Sequence, residues 1–168
     1  MMKKIILIGG PMGIGKTTIS QQLKKELDHC VFLDGDWCWD MHPFIVNDET
    51  KKMVMNNITY SLNQFIHCSS IENIIFCWVM HENNIIEDIL SLLDLKDCEV
   101  YNISLICSRE VLKQRIQKDI ELDIRQKDVI DRSIERLSCY EKVDSFKINV
   151  SDLSVNESVK CIKQYCRL

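Results

Sequence analysis

One stretch limits what this chain can fold into more than any other: Ile5-Ile6-Leu7-Ile8-Gly9-Gly10-Pro11-Met12-Gly13-Ile14-Gly15-Lys16-Thr17-Thr18. Four consecutive aliphatic residues read as a short, fully buried strand, the glycine-rich segment as a turn, and Lys16 to Leu27 as a helix. Gly10, Gly15, Lys16 and Thr17 fit the phosphate-binding pattern G-x-x-x-x-G-K-[ST] at every fixed position. Glycine lets the backbone turn back and bring N–H groups against phosphate oxygens, where a side chain would clash. The expected cradle therefore runs from Gly10 through Met12, Gly13, Ile14 and Gly15, with the positive end of the following helix aimed at the same anion. Lys16 adds a point charge for the β- and γ-phosphates, and Thr17 a hydroxyl for Mg²⁺. An ordinary glycine-rich turn is the plainer alternative, but it needs neither Lys-Thr at its end nor an apolar strand before it. The stretch implies a nucleoside triphosphate as ligand.

Length and charge narrow the setting. A chain of 168 residues can bury a proper core as one domain without disulfides or metals. Hydrophobic and charged fractions of 46% and 27% are ordinary for a globule. A net charge of −4 gives no electrostatic reason to expect nucleic acid or an acidic membrane as partner. The first residues, Met1-Met2-Lys3-Lys4 and the aliphatic run, imitate a secretory leader, but the run continues straight into the phosphate pattern, where cleavage would destroy it. No segment approaches the roughly 18 apolar residues of a membrane span, and the expected location is cytoplasmic. The nine cysteines form no C-x-x-C and no pair beside paired histidines, so free thiols in a reducing compartment are expected. Cys38 is the exception to watch, because it falls in the expected substrate region.

Along the chain, short apolar runs alternate with helical periodicity. Val31-Phe32-Leu33-Asp34, Ile74 to Met80, Val100 to Cys107 and Phe146 to Val150 read as further strands. Residues 47–68 read as a long helix capped by Asn47, with Val54, Ile58, Leu62, Phe65 and Ile66 as its stripe. Helical stripes follow at Ile85–Leu93, after Ser108, and at Ile130, Ile134 and Leu137; a last helix opens with the capping box Ser154/Glu157. Strands alternating with helices imply a parallel sheet covered on both faces, with ligands outside the carboxyl ends of the strands. Attention then falls on the phosphate loop, Asp34-Gly35-Asp36-Trp37, Met80-His81-Glu82 and Ser108-Arg109.

Asp34 and Asp36 stand two apart, so in extended chain they project to one side. Such a carboxylate can hold Mg²⁺ through water or accept a proton from an attacking hydroxyl, although Asp-Gly is also a common turn and Asp caps helices. The third strand carries no acid between Ile74 and Met80, which leaves Asp34 as the substitute near the metal. His81 and Glu82 are weaker candidates, for substrate contact or for capping. Arginine is absent from the first hundred residues; Arg109, Arg115, Arg125, Arg132 and Arg136 then cluster, with Arg167 near the end. The planar guanidinium suits phosphate oxygens better than lysine does, and Arg132 and Arg136 share one helix face. Ion pairing with Glu121, Asp128, Asp131 and Glu135 is the alternative for any single one.

The phosphate loop, Leu33-Asp34-Gly35-Asp36, Leu112-x-x-Arg115 and Arg136-Leu137-x-x-Tyr140, in that order, resemble the small P-loop kinases: shikimate, gluconate and adenylylsulfate kinases and chloramphenicol phosphotransferase, with nucleoside monophosphate kinases as cousins. The resemblance spans roughly residues 3–166 and implies a single domain over 1–168 with an α/β three-layer fold, a five-stranded parallel sheet of order 2-3-1-4-5, a short lid at about 117–127, and ATP with Mg²⁺. It implies Lys16 at the β/γ-phosphates, Thr18 near the α-phosphate, Thr17 and Asp34 at the metal, and Asp34 or Asp36 as the acid beside the acceptor hydroxyl. Arg115 and Arg125 become lid arginines closing on ATP, and Arg136 with Arg132 substrate contacts. Asp36, Trp37, Trp39 and His81 complete the expected acceptor side, where the aromatics either stack on a ring or roof the core.

The implied function is transfer of the ATP γ-phosphoryl to a hydroxyl of a small molecule, by a monomer or homodimer. Nucleoside or nucleoside monophosphate kinase comes second, because residues 40–60 lack the arginines such an acceptor requires. A non-kinase ATPase or GTP switch comes third, lacking both the third-strand acid and an N-K-x-D signature.

Overall fold

The computed structural model describes residues 2–122 and 129–168. Arg125, and with it the later part of the expected lid, lies outside the described residues. β1 (Lys3–Gly9) puts Ile5 and Leu7 into one hydrophobic cluster and Ile6 and Ile8 into the other, all four fully buried. A strand covered on both faces has no polar side, hence the unbroken aliphatic run in the sequence. At roughly 1.5–3 kcal/mol for each buried aliphatic side chain, this central strand anchors the loop that follows it.

β1 lies between β3 (Asn73–Trp78) and β4 (Cys98–Ile106); β2 (Cys30–Asp34) and β5 (Phe146–Asn149) form the edges. All pairings are parallel and the order is β2-β3-β1-β4-β5, the arrangement that the resemblance implied. Val54, Ile58 and Leu62 of α2 (Asp48–His67) and Ile86 and Ile89 of α3 (Asn83–Ser91) cover one face. The other face is covered by Ile19 and Leu23 of α1 (Lys16–Lys25), Leu112 and Ile116 of α4 (Arg109–Glu121), Leu137 of α5 (Val129–Lys142), and Val159 and Ile162 of α6 (Val155–Cys166). Residues 117–121 of the expected lid are the end of α4.

Local chemistry sets the helix starts. Asn47 and Thr50 form a reciprocal cap on α2, the Ser108 hydroxyl accepts from the Val111 N–H on α4, and Ser154 and Glu157 form the capping box of α6. The chain after β2 departs from the extended form expected for Asp34-Gly35-Asp36: Gly35–Trp39 is a 3₁₀ helix. Asp34 caps it, its Oδ1 accepting from the Asp36 N–H at 3.1 Å. A Cβ on Gly35 would stand 2.5 Å from Trp78 Cγ, so a side chain there would displace the indole. The helix separates the two acids: Asp34 turns inward and Asp36 is exposed.

Candidate functional site

The phosphate loop joins β1 to α1 through two left-handed residues, Gly13 (φ 81°) and Gly15 (φ 106°). A Cβ at Gly13 would lie 2.5 Å from Ile116 Cγ1, so α4 packs against a loop that tolerates only glycine there. Unlike α2, α4 and α6, α1 has no side-chain cap and no acid in its first turn. The helix therefore turns its positive end toward the loop with no cap from its own sequence. Lys16 is buried, with Nζ donating to the carbonyls of Gly10 at 2.8 Å and Pro11 at 3.0 Å. Thr17 and Thr18 are exposed on the same turn. Met12, Gly13, Gly15, Lys16, Thr17, Thr18, Asp36 and Arg115 line a hollow of about 320 Å³ together with Lys118 and Asp119.

Asp34 meets this loop from the end of β2. The Thr17 hydroxyl donates to Asp34 Oδ2 at 2.6 Å, and Asp34 is only 4% exposed. Its register partner on β3 is Cys77, which places the Asp34 carboxylate beside the strand that lacks an acid of its own. The Cys77 thiol is pushed well up, by burial first and then by the adjacent Asp34 charge, and so remains a neutral neighbour. Thr17 and Asp34 together present hard oxygen donors, the chemistry Mg²⁺ prefers. Cys38, half-buried in the 3₁₀ helix, is also raised by burial and then by Asp34, and is therefore not an activated nucleophile.

Arg115 lies under the loop. Nη1 donates to Ile14 O at 3.0 Å and Nη2 to Val150 O at 2.8 Å, tying the phosphate loop to the chain leaving β5. This clamp separates the phosphate hollow from a neighbouring one of about 470 Å³, lined by Gly13, Ile14, Thr18, Arg115, Lys118, Val150, Leu153, Ser154, Val155 and Ser158, among others. The two hollows share Gly13, Gly15, Thr18, Arg115 and Lys118.

The remaining expected residues are arranged more loosely. Trp37 is 53% exposed and meets Phe32 edge-on at 5.3 Å. Trp39 is half-buried; its indole N–H donates to Ile45 O at 3.2 Å and its ring lies 5.7 Å from Phe44. It therefore pins the 40–46 segment, while Phe44, Ile45 and Val46 remain exposed. His81 Nε2 lies 3.6 Å from Glu82 Oε1, and burial, then the Arg136 charge, holds its pKa below the ordinary value. Arg136 is half-buried on α5, near His81 and Tyr140. Arg132 is exposed on the same helix; neither arginine lines the phosphate hollow.

Sequence reasoning missed Ile116, which enforces glycine at position 13, and Cys77, which faces Asp34. It also missed Val150, Leu153, Ser154 and Ser158. The rule that ligands sit beyond strand ends could have found the last group, because these residues follow the fifth strand.

A family profile described as an AAA domain matches residues 6–138. The chain belongs to that family. Solved structures resemble it over almost its whole length. The tunicamycin resistance protein of Deinococcus radiodurans shares 17% identity at a TM-score of 0.69, covering 99% of this chain and 96% of that one. A gluconokinase from Sinorhizobium meliloti shares 13% at 0.68, with 99% and 95% covered. A shikimate kinase from Bacteroides thetaiotaomicron shares 17% at 0.63, with 100% of both chains covered. The fold is that of the small P-loop kinases. No curated protein matches the chain.

Proposed function

From this family and this geometry we propose that the chain is an ATP-dependent phosphotransferase that moves the γ-phosphoryl group to a hydroxyl of a small molecule. The observation that carries the reading is the 2.6 Å bond from Thr17 to the buried Asp34, beneath a phosphate loop whose helix start is left uncapped. The kinase neighbours support a hydroxylated acceptor.

Phosphoryl transfer needs position and charge neutralisation more than covalent help. The N–H groups of residues 13–17 bind the β- and γ-phosphate oxygens, and Lys16 exchanges the Gly10 and Pro11 carbonyls for phosphate. Thr17 and Asp34 would hold Mg²⁺, which supplies neutralisation of phosphate charge when bound. Both oxygens of Asp34 are engaged, by Thr17 and by the Asp36 N–H. Asp36, exposed and lining the phosphate hollow, orients the acceptor hydroxyl and takes its proton as the new oxygen–phosphorus bond forms and the bond to the ADP leaving group breaks. Arg115 holds the loop and borders the nucleotide. Arg125 is assigned to ATP by the resemblance alone, and Arg132, Arg136, His81, Trp37 and Trp39 receive the acceptor. The larger hollow beside Arg115 takes the base.

The deciding experiment is acceptor-dependent release of ADP. Hydroxylated metabolites, nucleosides and antibiotics are screened with ATP and magnesium, and hits are checked for a phosphorylated product by mass spectrometry. A phosphorylated acceptor whose formation stops with Lys16→Ala is the expected result. ADP released at one rate whatever acceptor is present would make the chain an ATPase instead.

A further inference from the structure

The base-side hollow has few polar groups left with which to read a base, and this bears on which donor the site can choose. The argument rests on the nucleotide-binding reading above. Reading a base requires donors and acceptors that a wrong base would leave unpaired, and this is what makes rejection strong. Here the wall uses its own groups. The Arg115 guanidinium donates to Ile14 O and Val150 O. Val150 N–H donates to Ile106 O at 2.8 Å, and Ser151 N–H and Oγ donate to Asn149 Oδ1 at 3.0 and 2.7 Å. Ser151 Oγ also accepts from Ser108 N–H at 2.9 Å. Ser154 N–H and Oγ donate to Glu157 Oε2 at 2.8 and 2.6 Å, and Ser154 O accepts from the Ser158 N–H and hydroxyl at 3.0 and 2.9 Å.

What those bonds leave facing a ring, among the described residues, is the apolar surface of Ile14, Val150, Leu153 and Val155 and the fixed face of Arg115, while the polar Thr18 and Lys118 lie on the border shared with the phosphate hollow, toward the triphosphate. Such a wall holds a ring by stacking and dispersion, which every base accepts. The peptide groups at Asp152 and Leu153 and the exposed Asp152 carboxylate remain in the loop, enough for a modest preference.

We infer that the donor site selects the triphosphate tail and is nearly indifferent to the base, accepting purine and pyrimidine nucleoside triphosphates alike.

The test is displacement of a fluorescent N-methylanthraniloyl-ATP from the full chain by the magnesium complexes of ATP, GTP, CTP, UTP and inorganic tripolyphosphate. The four nucleotides should compete within about tenfold of one another, and all should beat tripolyphosphate. Leu153→Ala, its fold verified by thermal melting, should weaken all four by a common factor of about 3 to 5 and leave tripolyphosphate unchanged. One base favoured by more than about tenfold, or an altered ranking in Leu153→Ala, overturns the inference. So does tripolyphosphate binding as well as the nucleotides. If the fluorescent nucleotide does not bind at all, the failure lies with the nucleotide-binding reading itself.

Discussion

Two loops at the carboxyl edge of the sheet treat their hydrogen-bonding groups in opposite ways. The loop after β1 ends in a helix with no side-chain cap, glycines at φ 81° and 106°, and a lysine resting on two of its own carbonyls. The loop after β5 ends in a helix with a complete capping box, and its serines are paired with Asn149, Glu157 and the backbone. One keeps donors in reserve for an anion; the other satisfies itself. Unspent donors make a binding site and cost local stability, whereas paired ones stabilise the fold and leave only shape to offer a ligand.

Substitutions should separate the two loops. Lys16→Ala should lower phosphotransfer by about 10²–10³, the scale of losing one preorganised donor to developing charge, with little change in melting temperature. A loss of that size from the β5–α6 loop would break the contrast. Gly13→Ala, which forces a Cβ against Ile116 in a left-handed conformation, should cost roughly 1–3 kcal/mol of stability and weaken Mg-ATP as well; thermal melts and nucleotide titration read both. Ser154→Ala should behave inversely. It removes a cap worth about 1 kcal/mol, or about 2–4 °C in a chain of this size, and should leave Mg-ATP affinity within about twofold.

The smallest effect concerns acid. Glu157 titrates below its ordinary value of 4.5 because the Ser154 hydroxyl and then the Ser154 N–H bond its carboxylate. The folded state therefore holds its proton less tightly than the unfolded chain. The cap contributes fully above the unfolded value and is lost as pH falls through the folded one. Glu157→Gln should flatten the melting-temperature profile below about pH 4.5, read by thermal melts across pH.

Much of this was legible in the chain. The aliphatic run, the fixed positions of the phosphate pattern and the Ser154/Glu157 box are local, because each depends on backbone geometry within a few residues. The sheet order followed from the resemblance and not from periodicity, which gives strands but no neighbours. Asp34 and Asp36 were legible as acids but misjudged in direction, because a 3₁₀ turn packed against Trp78 replaces the extended chain that alternation assumes.

By itself the sequence determined that a buried strand runs into an anion cradle and that strands alternate with helices, since spacing and glycine chemistry act over short range. Only the tertiary structure decided that Asp34 pairs with Thr17, that Arg115 clamps the loop to Val150, and that Ile116 forbids a side chain at position 13. Each of these contacts joins residues distant in the chain, and sheet order with helix packing, which no local pattern encodes, brings them together.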